Sequence, residues 1–201
     1  MTITEQEICK SVAECTVTKI MGQPTNQDLD LLDEELTAIA SSFPSELGGG
    51  AHGHAGLVKS AADYAVFAPA TPFNVPANPG HYPGGPIPAA QRAQREAEHK
   101  ALVTQFQTCM GVIKGLKDLI LQAVEEDFLL ELRDQITAYL NVTPLVMLTH
   151  LCNRWGTIDF VDITTLMNEC DSPWNAAEVP TKYFNRVDKA RRQLARANVV
   201  P

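Results

Sequence analysis

The chain has 201 residues, of which 45% are hydrophobic and 20% charged, a composition typical of one globular domain or slightly more. Its net charge of −8 argues against a body that binds nucleic acid, because such a surface should be basic. No apolar run is long enough to span a membrane, and the N-terminus lacks the apolar core of a signal peptide.

The N-terminal part of the chain predicts two helices. Thr4 and Glu7 can form a capping box for a short first helix. Residues 16–23 read as an extended segment. A second helix follows Thr25 and runs to about Ser41, because apolar residues recur at spacings of three and four. These residues are Leu29, Leu32, Leu36, Ile39 and Phe43.

A glycine-rich stretch follows, and it lacks the features of a phosphate loop. Such a loop needs Lys-Ser or Lys-Thr directly after its last glycine, whereas the nearest pair here, Lys59-Ser60, stands at the wrong spacing. We expect the glycines to supply positive φ angles or a close approach of two backbone segments. A short β-hairpin near residues 47–59 also fits this pattern. The glycines of this structural loop are Gly48, Gly49, Gly50, Gly53 and Gly56.

Two histidines in the same stretch, His52 and His54, could bind one metal ion. A zinc site would need two further ligands, or one ligand and a water, and no His-x-x-x-His motif or Cys/His cluster supplies them. We therefore expect their ring nitrogens to bond to backbone in a glycine-rich turn, and we predict no metal or cofactor. A metal-dependent enzyme that uses these histidines is a minor alternative. No nucleophile elbow or dinucleotide fingerprint is present, so no catalytic residue is predicted.

The segment that comes next is uncharged and rich in proline. Ser60 can cap a short helix over residues 61–68. Residues 64–91 contain no Lys, Arg, Asp or Glu, and hold seven of the thirteen prolines. A flexible linker is usually polar, but this segment carries Phe73 and Tyr82. It is expected to lie along the surface of the fold or against a neighbouring subunit.

The second half of the chain predicts only helices. The strongest prediction is a helix over residues 88–126, which either continues through Gly111 and Gly115 or breaks into two there. Helical turns over 127–134 and helices over 159–170 and 180–197 complete the set. With no βαβ alternation, the fold class is mostly α.

One more helix in this half begins at Pro144 and ends at Gly156. Its apolar side is predicted to include Cys152 and Trp155. Cys109 and Cys152 are both expected to be buried, as small hydrophobic side chains. The five cysteines, an odd number without a Cys-x-x-Cys pair, indicate reduced thiols, and we expect a cytoplasmic location.

The last helix has an apolar side and the one basic patch of the sequence. The apolar side is predicted to consist of Tyr183, Phe184, Val187 and Leu194. A solvated helix face is the simplest interpretation of the patch. The alternative is a contact with RNA or with an acidic surface of a neighbouring subunit. The cations of the patch are Lys182, Arg186, Lys189, Arg191, Arg192 and Arg196.

Taken in order, several motifs resemble one family, the Gag-like capsid region of copia-type LTR retrotransposons. The glycine-rich element is the specific part of the resemblance. The motifs are Lys19-Ile-Met-Gly-Gln-Pro-Thr25, Leu47-Gly-Gly-Gly-Ala-His-Gly-His-Ala-Gly-Leu-Val58, Pro72-Phe73, His150-Leu151 with Trp155-Gly156, and Tyr183-Phe184-Asn-Arg186-Val-Asp188.

The resemblance implies an all-helical structural protein that polymerises into a shell around the RNA of the element. It implies an N-terminal lobe over residues 1–158, which contains the proline-rich segment 69–88, and an incomplete second lobe over 159–201. The implied partners are other copies of the chain and RNA, bound through the C-terminal helix or through segments beyond residue 201. Neither a membrane nor an enzymatic activity is implied.

Two kinds of contact are expected of such a protein. Self-association would use exposed aromatic anchors, although core packing is the simpler role for the tryptophans. Alternatively, the chain is a domesticated helical adaptor that binds a protein partner through the proline-rich segment. The candidate anchors are Phe73, Tyr82, Trp155 and Trp174.

Overall fold

The structure is a computed structural model that describes residues 4–82, 89–158 and 160–196. Within these ranges the chain is mostly helical, as the sequence predicts, and contains no β-strand. Short 3₁₀ turns lie at Leu47–Gly49, Ala55–Leu57 and Glu126–Leu132. The α-helices are α1 (Glu5–Ala13), α2 (Asn26–Ser42), α3 (Ala61–Phe67), α4 (Ala89–Ala123), α5 (Pro144–Trp155), α6 (Phe160–Asp171) and α7 (Pro180–Arg196).

Side-chain caps begin the helices where the sequence predicts them. Thr4 and Thr25 each form a complete capping box, with Glu7 and Asp28 respectively. The hydroxyl of Ser60 accepts a hydrogen bond from the backbone of α3, and Thr143 does the same for α5. These local signals fix the starts of four helices.

Helix α4 is continuous, and its two glycines serve its packing against α1. A Cβ atom on Gly111 would lie 2.7 Å from the carbonyl oxygen of Glu5 and 2.9 Å from Cβ of Ile8. One on Gly115 would lie 2.9 Å from the carbonyl oxygen of Cys9. The glycines therefore let the two backbones approach closely, and the helix does not break because α1 covers them.

The main core lies between α1, α2, α4 and α5. Helix α2 buries one face of four residues, Leu29, Leu32, Leu36 and Ala40, at helical spacing. Cys109 is fully buried in this core, as predicted. Other members with no exposed surface include Leu116, Leu119, Ile120, Leu129, Met147 and Leu151.

Helices α6 and α7 pack together as a hairpin with a separate apolar cluster. Leu166 of α6 meets Ala190 and Leu194 of α7, and Ile158 and Ile163 pack at the edge. This cluster is distinct from the main core. The division into a lobe over 1–158 and a second lobe over 159–201 remains a prediction.

Three local predictions differ from the structure. Residues 47–59 form 3₁₀ turns in place of a β-hairpin, because four glycines there have positive φ angles that curl the chain. Cys152 is exposed, since the buried face of α5 is centred on Met147, Leu148 and Leu151, and Cys152 points to its edge. Phe184 is 61% exposed because α7 buries Val187, Ala190 and Leu194.

Candidate functional site

The glycine loop, defined as residues 47–57, is a crossing point of three backbone segments. Gly48 has a φ of +58°, and its carbonyl accepts hydrogen bonds from the hydroxyls of Tyr64 at 3.1 Å and Thr71 at 3.0 Å. A Cβ on Gly53 would lie 2.5 Å from the carbonyl oxygen of Ser41 and 2.6 Å from that of Phe43. The expected close approach of backbone segments is therefore present, and it ties α2 to α3 and to the proline-rich segment.

His54 is the buried centre of this loop. Only 1% of it is exposed, and its ring Nδ1–H donates to the carbonyl of Phe43 at 3.0 Å. Its backbone N–H donates to the carbonyl of Ala40 at 2.9 Å. Burial lowers the pKa of the imidazole, and the hydrogen bond to Phe43 opposes that shift in part.

His52 is half-buried and has a different environment. Its ring lies edge-on to Phe67, with centroids 4.8 Å apart, and to Tyr64 at 6.3 Å. In the part of the chain that the structure describes, no group of three or more His, Cys, Asp or Glu side chains could hold a metal ion. The bonding of His54 to backbone is the role that the sequence favours for these histidines.

The proline-rich segment lies along the fold through Phe73. The Phe73 ring packs on Gly56, where no side chain would fit, and lies 5.6 Å from the Tyr64 ring and 6.4 Å from His54. This agrees with an uncharged segment that follows the surface of its own fold. Residues 83–88 of the segment, and Pro88 as the start of α4, lie outside the described residues.

A loop over residues 134–142 that is held by several hydrogen bonds is a feature that the sequence does not predict. The Asp134 carboxylate accepts hydrogen bonds from the backbone N–H groups of Ile136 at 2.9 Å and Thr137 at 2.7 Å, which lowers its pKa. Asp134 and Ala138 also exchange two backbone hydrogen bonds of 3.0 Å. Ala138 has a φ of +49°, a conformation that costs roughly 1–2 kcal/mol for a residue with a Cβ.

A buried lysine holds the other side of this loop. Lys117 of α4 is 8% exposed, and its ammonium donates to the carbonyls of Tyr139 at 2.8 Å and Leu140 at 3.1 Å. The loop so fixed presents Ile136, which is 94% exposed, and Leu140, which is 64% exposed. Both side chains are therefore available for contact with another molecule. The sequence signal that could have found the loop is Asp134 followed by Thr137, a side-chain-capped turn.

The four candidate aromatic anchors have different environments and contact different residues. Phe73 packs on the glycine loop, and the Tyr82 ring lies 5.4 Å from that of His99. The half-buried Trp155 packs edge-on against Phe128 at 5.1 Å, as core packing predicts. The most open anchor is Trp174, which is 50% exposed while its indole N–H donates to the carbonyl of Glu178.

The basic residues of α7 have three different environments in the structure. Arg186 pairs with Glu178 at 3.3 Å and lies over the Tyr183 ring, at 5.6 Å from its centroid. Lys182 and Arg191 have exposed side chains. Lys189 and Arg192 line a small cleft that faces the acidic residues of α2. The side chain of Arg196 lies outside the described residues.

Open clefts surround the α6–α7 hairpin where it meets α2. One of about 680 Å³ lies between the N-terminal turn of α2 and both helices of the hairpin. A second, of about 840 Å³, lies between α2, α3 and α5, and Ile163 of α6 lines its edge. In the second cleft the Ser60 hydroxyl donates to the Asp63 carboxylate at 2.6 Å, a bond that belongs to the cap of α3.

The comparisons with known proteins add no relative. No protein-family model, no curated protein and no solved structure matches this chain. Among the helices that the structure describes, none is both long and apolar enough to cross a membrane.

Proposed function

We propose that the chain is a structural protein that self-assembles, of the Gag capsid type, and that it is not an enzyme. The observation that carries self-assembly is the apolar tip of the 134–142 loop, with Ile136 94% exposed. The family attribution depends on the order of the sequence motifs, above all the glycine-rich element.

The construction of the loop favours a role in binding. The Asp134 carboxylate and the buried Lys117 ammonium together hold its backbone, so a partner would not have to order it. A preorganised surface loses less conformational entropy on association than a flexible one. Burial of one isoleucine side chain contributes roughly 1.5–3 kcal/mol, which a repeated contact multiplies across a shell.

Packaging of RNA inside such a shell is the second part of the proposal. It is supported only by the exposed cations of α7, chiefly Lys182 and Arg191, in a chain whose net charge is −8. The adaptor alternative is less favoured. Phe73, the largest apolar side chain of the described proline-rich residues, packs against the glycine loop and is not free for a partner.

The test of self-assembly is sedimentation over a wide concentration range, with negative-stain imaging of any fast species. We expect concentration-dependent oligomers that form rings, tubes or shells. Ile136→Ser should raise the concentration needed for half-assembly by about tenfold or more, because each contact loses the burial of one side chain.

Met21→Ser is the matched control for this variant. Met21 is 78% exposed, lies outside the 134–142 loop and should assemble like the wild-type chain. A strict monomer at every concentration would refute self-assembly. Equal effects of the two substitutions would show that the loop is not the contact.

A further inference from the structure

The α6–α7 hairpin meets the rest of the protein through polar groups. Leu166, Ala190 and Leu194 form the hairpin's own apolar cluster, whereas Met167 and Phe184 are exposed. The side-chain amide of Gln193, only 4% exposed, donates to the Asp30 carboxylate of α2 at 2.7 Å. Open clefts flank this hydrogen bond, so among the side chains that the structure describes little apolar surface is buried between the hairpin and α2.

Opposite charges face each other across the same contact. The α2 side presents Asp30, Asp33 and Glu34, and the α7 side presents Lys189 and Arg192. Lys59 lies on the α2 side and pairs with Asp33. The α2 face is therefore complementary in charge to α7 and repels a second α2 face.

We propose that, in the assembled particle, the α6–α7 hairpin of one copy docks on α2 of a neighbouring copy, where it makes the contacts it makes within its own chain. This inference rests on the proposed self-assembly and adds a second contact between neighbours to the one at the 134–142 loop. The occupant of the acidic α2 face is then a second copy of this chain, selected by charge and by the Gln193–Asp30 hydrogen bond.

The segment that joins α5 to the α6–α7 hairpin allows such an exchange. Residues 156–159 separate the end of α5 from the start of α6, and four extended residues span about 14 Å. Because exchange conserves every contact, its free-energy cost is mainly that of bringing two copies together. In the closed form the hairpin contacts α2 of its own chain. The short linker gives the hairpin an effective concentration on the order of millimolar at that α2. In dilute solution each hairpin therefore stays on its own chain. Exchange occurs in a shell, where the local concentration of neighbouring copies is comparable to that effective concentration.

The experiment uses two charge variants of the full chain, Asp30→Lys and Gln193→Glu. Each alone places like charges together, because the first adds a cation opposite the cations of α7 and the second adds an anion opposite the acids of α2. We expect each variant to require a several-fold higher concentration for assembly. An equimolar mixture should recover near wild-type assembly, since the cation added to one copy meets the anion added to the other.

The chain that carries both substitutions is the matched control, because it restores the pair within and between copies. Circular dichroism checks that all variants keep their helicity. If the double variant assembles but the mixture does not, the hairpin stays on its own chain and exchange is refuted. Single variants that assemble like the wild type would also refute it, while leaving the proposed function standing.

Failure of the wild-type chain to form particles would refute the proposed function itself, and this inference with it. If the nuclease-treated protein assembles only after single-stranded RNA is added, and both charge variants respond to RNA as the wild type does, RNA and not a second copy is the occupant of the α7 cations. That result, too, overturns the exchange.

Discussion

Gly53 lies beneath the C-terminal end of α2, at a φ of +50° and with carbonyl oxygens on the side where a Cβ would point. We expect Gly53→Ala to lower the free energy of unfolding by at least about 2 kcal/mol, because it adds a steric clash to an unfavourable backbone conformation. Urea denaturation would measure the loss.

Gly22→Ala separates the cost of the steric clash from the cost of the backbone conformation. Gly22 also has a positive φ, +74°, but no atom lies within 4 Å of the position a Cβ would take. Its substitution should therefore cost only the conformational part, roughly 1–2 kcal/mol. Equal losses at the two glycines would contradict the close approach described for Gly53.

His54 makes the stability of the glycine loop dependent on pH. Burial lowers the pKa of its imidazole below the unfolded value of about 6.5. Above about pH 7.5 both states are neutral at this residue, so it contributes no pH dependence. As the pH falls through 6.5 the unfolded state takes up the proton first, and the free energy of unfolding decreases by up to about 1.4 kcal/mol per unit of pKa shift.

The measurement is urea denaturation of the wild type and of His54→Gln at pH 7.5 and at pH 5.5. The variant should be less stable at both values, since glutamine does not reproduce the buried ring. Its loss of stability between the two pH values should be smaller than that of the wild type. An identical pH dependence would show that His54 is not the titrating group.

Helix α4 carries glycine at positions 111 and 115, where alanine would favour an isolated helix. Alanine at Gly115 should favour the isolated helix by about 1 kcal/mol. In the folded protein a Cβ there would lie 2.9 Å from the carbonyl oxygen of Cys9 in α1. We expect Gly115→Ala to destabilise the protein and to raise amide hydrogen exchange across α1, because α1 has to move away.

Gln94→Ala is the control within the same helix. Gln94 is exposed, and its side-chain amide donates to Glu98, one turn away. Its replacement should change stability by less than about 0.5 kcal/mol. If Gly115→Ala behaves in the same way, α1 does not pack against this glycine.

Helix boundaries were predictable from sequence because their signals are local. Thr4, Thr25, Ser60 and Thr143 cap helices in the structure as they do in the pattern. The continuity of α4 was not predictable, since its glycines are covered by residues about 100 positions earlier in the chain.

The candidate surfaces were predictable only in part, for a related reason. The close approach at the glycine loop follows from residue type. The exposure of Ile136 depends on Lys117, whose side chain reaches a loop more than 20 residues away. The hydrogen bond between Gln193 and Asp30 joins α7 to α2. From the sequence alone, the polar residues of both helices read as solvent-exposed faces, so this contact was not predictable.

At the level of the whole molecule, the protein consists of two apolar clusters with a polar contact between them. The main core unites α1, α2, α4 and α5, whereas Leu166, Ala190 and Leu194 belong to the hairpin. Because polar contacts between exposed charges are screened by salt, the position of the hairpin should respond to ionic strength more than the main core does. The proposed exchange depends on that difference.

The packing of α1 against α4 also has a consequence for synthesis on the ribosome. Ile8 and Val12 are buried against a helix that leaves the ribosome about 100 residues later, at Gly111 and Gly115. At a translation rate of about 5–20 residues per second, α1 waits roughly 5–20 seconds for its partner. During that interval its apolar side is exposed on a nascent chain, and on a polysome it lies near the same helix of other unfinished copies.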